Sequence, residues 1–418
     1  MTFNKLASAL MICAAIGVVS LPVSTAFAAP DAAKIAERKA RKSQAVGEKV
    51  GKAIGKAYDL YGQQQIAEAI AILEPLEPTN AFDKAYLARF LGSLYVEKNP
   101  EKAIKYLKEA IKPDILSFTD QAAALRNLAD LSIMAKKYQD AIGYYNKWLD
   151  FTGELDPNVE MRIANCFYEM KQFNKVIAPA DRAIAHFKEP KKEPYIMKYA
   201  SYYELKQTKK VIEVLEEAVV IFPKEKSFWV QLGNFYSADE QFPKALAVID
   251  MAYKQGYLTT ENEIKLLANL YNNNNVPYKA AATLEKHMKS GLVKKDRAIL
   301  MSIASSYNSA REFEKAAAFF GQAAQLSSEG DIYRRQGNAY LMANKNAEAV
   351  TALQKALELG VKDKGKVHVD LISAYFFQGK MKEAYRHVEL ARQNGQEKMA
   401  ANWGSYVKER AEKKGIKL

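Results

Sequence analysis

Apolar positions along most of the chain recur with a helical period, and one short pattern keeps returning. Around residue 233 it reads Trp229, Leu232, Gly233 and Tyr236, followed by Ala245, Ile249 and Ala252. Spacings of three and four place such side chains on one stripe of a helix, so this stretch predicts two amphipathic helices joined by a turn. The small residue of the first helix serves as a register mark. It returns at Ala57, Gly92, Ala129, Ala164, Gly233, Ala268, Ala304 and Gly337, with Tyr199 and Ile372 at that place in two weaker units. Nine steps from Ala57 to Ile372 span 315 residues, a mean of 35. Three residues after the mark stands a ring, as in Tyr95, Tyr271 and Tyr375; twelve after it stands an alanine, as in Ala69, Ala280 and Ala384. The unit with Ala103 is one residue short in its turn. A hairpin of this kind leaves an apolar face bare until its neighbour covers it, which predicts an all-α stack of about ten helix-turn-helix units.

The W-x2-L-G-x2-Y run at Trp229–Tyr236 resembles the tetratricopeptide repeat (TPR), whose period is 34 residues. The resemblance implies an all-α TPR solenoid, a right-handed superhelix, whose first helices line a groove for protein partners and whose C-terminal helix caps the array.

The ends of the chain depart from the period. Lys5, the uncharged run Leu6–Val19 and the small-x-small triplet Ala26-Phe27-Ala28 form the pattern of a secretory signal peptide, residues 1–28, with cleavage expected after Ala28. That predicts export to the periplasm and leaves Cys166 as the lone cysteine, so no internal disulfide is available. Residues 29–46, rich in Lys and Arg, read as a basic mobile lead. Gly47, Gly51 and Gly55 make one face of the next helix small, which predicts close packing on the first repeat. Units then occupy 47–190 and 191–398, with Pro190 and Pro194 marking the expected joint. Residues 399–418 read as a charged capping helix.

Composition adds little to fold but narrows function. Lys and Arg outnumber Asp and Glu by 61 to 48, a net +13 that favours acidic partners or anionic envelope surfaces. The basic residues are dispersed, no nucleic-acid motif occurs, and nucleic acid is set aside. Gly360–Val367 has a G-x4-G-K skeleton but offers Val367 where a phosphate loop needs a hydroxyl, and it joins two helices. His186, His287, His368 and His387 show no metal-ligand spacing. No cofactor, metal or catalytic group is expected, and the chain reads as a binding protein, not an enzyme.

Binding is expected on the first helices. Arg89, Arg126, Lys265 and Arg334 lie three residues before the mark; Asn165, Asn234, Asn269 and Asn338 follow it by one; Arg162 and Arg335 lie close by. A cation four residues before an amide, as in Lys265 with Asn269 and Arg334 with Asn338, resembles the carboxylate clamp of some TPR proteins. The continuation of that motif would want Asn and Lys where this chain has Ser302 and Asp331. The stretches Arg41-Lys42-Ser43, Phe228–Leu232, Val276–Ala281 and Tyr333–Tyr340 further resemble exported bacterial TPR proteins associated with TonB/ExbB/ExbD-type systems. This resemblance implies a periplasmic scaffold accessory to TonB-dependent outer-membrane transport. An adaptor for cell-wall or outer-membrane assembly factors, or a binder of anionic envelope polymers through the basic ends, are the alternatives.

Overall fold

The computed structural model describes residues 31–418; the expected signal segment lies outside the described residues. Among the described residues there are 22 helices and no strand. A leading helix, α1 (Ala32–Ala40), is followed by ten hairpins and a closing helix. The hairpins are α2–α3 (Glu48–Gly62, Ile66–Leu73), α4–α5 (Ala81–Tyr95, Pro100–Ile111), α6–α7 (Phe118–Met134, Tyr138–Thr152), α8–α9 (Pro157–Glu169, Phe173–His186) and α10–α11 (Lys192–Glu204, Thr208–Ile221). Next come α12–α13 (Lys226–Ala238, Phe242–Lys254), α14–α15 (Glu261–Asn273, Pro277–Lys289), α16–α17 (Arg297–Ser309, Phe313–Gln325), α18–α19 (Gly330–Met342, Asn346–Leu359) and α20–α21 (Lys364–Phe377, Met381–Gln393), with α22 (Glu397–Lys413) last. The chain divides into two compact units, one ending at Met197 and one running Lys198–Leu418. Of the two prolines at the expected joint, Pro194 falls in the first turn of α10, where its missing N–H has no intrahelical acceptor to lose.

The register marks sit where two helix backbones approach most closely. Ala57, Ala129, Ala164, Ala304 and Ile372 are fully buried, as are Ala69, Ala141, Val176, Ala316 and Ala384 twelve residues later. A Cβ on Gly233 would stand 2.3 Å from Ile249, and one on Gly337 2.6 Å from Leu353. The small residue of one helix thus receives the large aliphatic of the next.

Each hairpin turns on a residue seven after the mark. Gln64, Lys136, Lys171, Lys206, Glu240, Asn275, Arg311, Asn344 and Gly379 all adopt positive φ there. This left-handed residue lets the next N–H bond back to the helix end, as Gln241 N does to the Tyr236 carbonyl at 2.8 Å. Only the last of these turns uses glycine, so the packing of the hairpins holds long side chains in a region they normally avoid. The exception is the shortened second repeat, where Asn99 has φ −153° and caps α5 with its side chain.

Two features at the N-terminal end were not expected. The lead is not irregular over Ala32–Ala40: it is a helix whose end carries arginines that contact the first unit. Arg38 donates to the Asp150 carbonyl at 2.7 Å and Arg41 to the Asp114 carbonyl at 2.7 Å and carboxylate at 2.9 Å. Both guanidinium groups lie over the Phe151 ring, at 5.1 and 5.8 Å. The small face of α2 is likewise not closely packed along its length. Gly47 lies against Asp83, but Gly55 has no atom within 4 Å of where a Cβ would be.

At the other end, α22 buries Ala400, Gly404, Val407 and Ala411 against the last hairpin.

Candidate protein-binding surface

Neighbouring repeats are joined by a recurring polar seam. In five repeats the tyrosine three residues after the mark points its hydroxyl at a side chain at or near the second helix of the preceding repeat. Tyr95 donates to Glu74 at 2.9 Å and Tyr271 to Asp250 at 2.5 Å; Tyr236 donates to Glu216 and Tyr307 to Glu285; Tyr375 accepts from Gln354 at 3.0 Å. Burial first, and the carboxylate second, push the Tyr236, Tyr271 and Tyr307 hydroxyls upward, so these three stay protonated donors. Burial also opposes ionisation of Asp250 and Glu285, but Lys254 and Lys289, with the tyrosines, outweigh it and hold both acids below their usual range.

A lysine from the second helix of the same repeat covers each ring. Lys210 lies over Tyr202, Lys244 over Tyr236, Lys279 over Tyr271 and Lys315 over Tyr307, at 5.1 to 5.6 Å where the last also covers Tyr278. The spacing is Tyr-x7-Lys, a signal present in the sequence and not read there. These four lysines are therefore committed to the chain's own seams.

The expected binding residues fall into three groups. Arg89, Arg126 and Arg162 each face an aspartate of an adjoining repeat: Asp120 at 3.3 Å, Asp156 at 3.1 Å and Asp130 at 3.1 Å. Arg89 also lies 5.1 Å over Tyr86 and Arg126 5.2 Å over Trp148. Lys265 turns back onto Glu261 within its own helix, leaving Asn269 exposed and apart. Asn234 is exposed and Asn165 half-buried. The structure does not gather these into one site.

It does gather Arg334 and Asn338. They lie on α18, facing Asp370 of α20, the first helix of the next repeat. The Arg334 guanidinium is 3.9 Å from Asp370 Oδ2, too long for a hydrogen bond. Asp370 Oδ2 and Asn338 Oδ1 are both enclosed without a hydrogen-bond partner. Burial pushes the Asp370 carboxyl up to about 6, and the opposing pull of Arg334 and Asn338 does not cancel it. Arg335, beside them, is exposed. The clamp-like pair thus already faces a carboxylate of its own chain, held loosely.

Two other sequence features resolve as structural. Asp363 accepts from Lys366 N at 3.0 Å and so caps α20, making the G-x4-G-K segment an inter-repeat turn whose helix end is already satisfied. His368 and His387, nineteen residues apart, meet with their Nδ1 atoms 3.0 Å apart. Among the described residues no group of three metal-ligating side chains occurs.

The sequence profile of the tetratricopeptide repeat matches residues 93–158. Comparison with curated proteins gives no match. Among solved structures, a tetratricopeptide-repeat protein from Parabacteroides merdae is 14% identical, covers 70% of this chain and 99% of its own, and gives a TM-score of 0.35. A complex described as Naa15/Naa10 bound to HypK-THB gives 13% identity, 87% and 68% coverage and a TM-score of 0.43. The C-terminal part of a TPR repeat-containing protein from Cytophaga hutchinsonii gives 16%, 58% and 98%, and 0.36. At these scores the likenesses carry no argument about global shape or partners. The repeat period, the hairpins seen ten times over among the described residues and the profile match over residues 93–158 agree: the chain folds as an all-helical array of tetratricopeptide-type repeats.

Proposed function

We propose that this protein is a periplasmic scaffold whose first-helix face at α18 and α20 holds an acidic segment of a partner, as an accessory to a TonB-dependent outer-membrane transport system. A tetratricopeptide-repeat fold implies a scaffold for protein–protein interaction; the place and the system rest on the signal-like N-terminus and the resemblance of four sequence stretches. The observation that carries the surface is the Arg334–Asn338–Asp370 cluster. Its internal carboxylate makes no direct hydrogen bond with Arg334, so that guanidinium is held only loosely by its own chain. An incoming carboxylate that donated nothing but accepted well could take over Arg334 and the exposed Arg335 in charge-assisted bonds. Nothing in the arrangement is poised for bond-making, which supports a binding role over an enzymatic one.

In-cell crosslinking tests this. Arg334→Gln with Arg335→Glu should abolish partner capture without changing helicity, and Lys413→Glu with Lys417→Glu should leave capture intact. Co-purification of TonB-system components with the wild-type chain, and not with the first variant, is the expected result. Capture unaffected by the first variant would remove this surface from consideration.

A further inference from the structure

The last repeat and the closing helix carry rings that the core does not absorb. Phe377, at the end of α20, is 66% exposed, and Tyr406, on α22, is 63% exposed. Between them Phe376 and Trp403 complete a continuous run of ring contacts: Phe376 to Phe377 at 5.5 Å, Phe376 to Trp403 at 5.6 Å and Trp403 to Tyr406 at 6.4 Å. Met399, one helical turn before Trp403, is a further exposed apolar side chain.

Charge surrounds this run with one sign in excess. Residues 397–418 hold Lys398, Lys408, Arg410, Lys413, Lys414 and Lys417 against Glu397, Glu409 and Glu412. Of the six cations only Lys413 has an acid partner among the described residues, Glu409 at 2.5 Å. Lys414 Nζ lies 3.5 Å from where Gly379 would carry a Cβ, two residues beyond Phe377, so cations and rings form one patch. In the basic lead, by contrast, Arg38 and Arg41 are already engaged with Asp150 and Asp114.

We infer that this end of the second unit docks on an anionic bilayer surface, with Phe377, Trp403 and Tyr406 entering the headgroup layer and Lys414 and Lys417 meeting lipid phosphates. Tryptophan and tyrosine favour that layer because one end of each ring system is apolar and the other is wet. Each basic side chain near an anionic surface strengthens binding about fivefold, an effect that salt screens. No helix among the described residues is long and apolar enough to cross a membrane, so the contact lies on the surface. An acidic protein would be drawn by the same lysines, and is the alternative outcome of the test.

Vesicle flotation with the full chain separates these cases, using phosphatidylcholine alone and phosphatidylcholine mixed equally with phosphatidylglycerol. The wild-type chain should float with the mixed vesicles only. Phe377→Ser with Tyr406→Ser, both at exposed positions, and separately Lys414→Glu with Lys417→Glu, should each weaken binding about tenfold or more, with unchanged circular dichroism. Brominated acyl chains should quench part of the tryptophan fluorescence, and Trp403→Phe should remove that part. Equal binding by either double variant, or flotation without quenching of Trp403, overturns the inference. So does an absence of flotation in a chain whose patch instead captures an acidic protein.

Discussion

Replacing Asp370 by asparagine removes a charge that the fold holds at a loss. Burial pushes this carboxyl from the ordinary aspartate range up to about 6, which corresponds to about 3 kcal/mol against its charged form. The side chain keeps 24% of its exposure, so screening trims the penalty to about 2 kcal/mol. Asparagine is nearly the same shape and carries no charge, and the attraction of Arg334 is already contained in the raised value. The net expectation is a gain of about 1 to 2 kcal/mol at neutral pH. The sign with pH follows from the raised value. Below the pKa of the unfolded carboxyl, both states are protonated and no penalty exists; as pH rises towards about 6, the unfolded state loses its proton first, and folding stability falls. Asp370→Asn should therefore be stabilising above about pH 6 and neutral near about pH 4. Because a repeat array need not unfold in one step, the suitable assay is amide hydrogen exchange read in α18 and α20, compared between variant and wild type at each pH. Exchange there should slow about fivefold or more at neutral pH and be unchanged in acid. A variant that exchanges faster at neutral pH, or shows the same ratio at both, would refute the argument that the charge is buried at a cost.

His387 should show the opposite trend. Burial, with His368 and Arg386 adding, pushes it down to about 4, so stability is present above the unfolded histidine pKa and is lost as pH falls towards that value. His387→Phe, which keeps a ring against Tyr375, should flatten that acid-side loss in exchange measurements on α20 and α21. Gly233→Ala should cost about 1 to 3 kcal/mol in denaturant titrations, because its Cβ would meet Ile249, which is fully buried. Adding Ile249→Ala should recover part of that cost, giving a double variant more stable than the two single effects added together.

The register of the fold is legible in the sequence because it rests on side-chain size and spacing, which are written position by position. The short second repeat is legible for the same reason, since Ala103 arrives one residue early. The left-handed turns are not, because Lys136, Glu240 and Arg311 carry no sign of a conformation that the packing of two helices imposes on them. The contacts of the lead are not legible because they are remote: Arg38 and Arg41 bond to residues 112 and 73 positions away. Arg334 and Asn338 were read as groove residues, whereas their partner Asp370 stands one repeat further on. Only an alignment of acids against the cations of the preceding repeat would have shown it.

The seams and the lead differ in when they can form. A tyrosine meets its acid across less than one repeat: Tyr95 lies 21 residues after Glu74 and Tyr271 21 after Asp250. Each repeat can therefore close on the one before as soon as it has left the ribosome or a translocation channel, and such short loops cost little to close. The leading helix has to wait. Its seat at Asp150 and Phe151 exists only after the third hairpin is complete, although Arg38 is synthesised 112 residues earlier. Docking of α1 is thus a late event that certifies the assembly of the first three repeats, and until then its arginines are open to whatever meets the emerging chain.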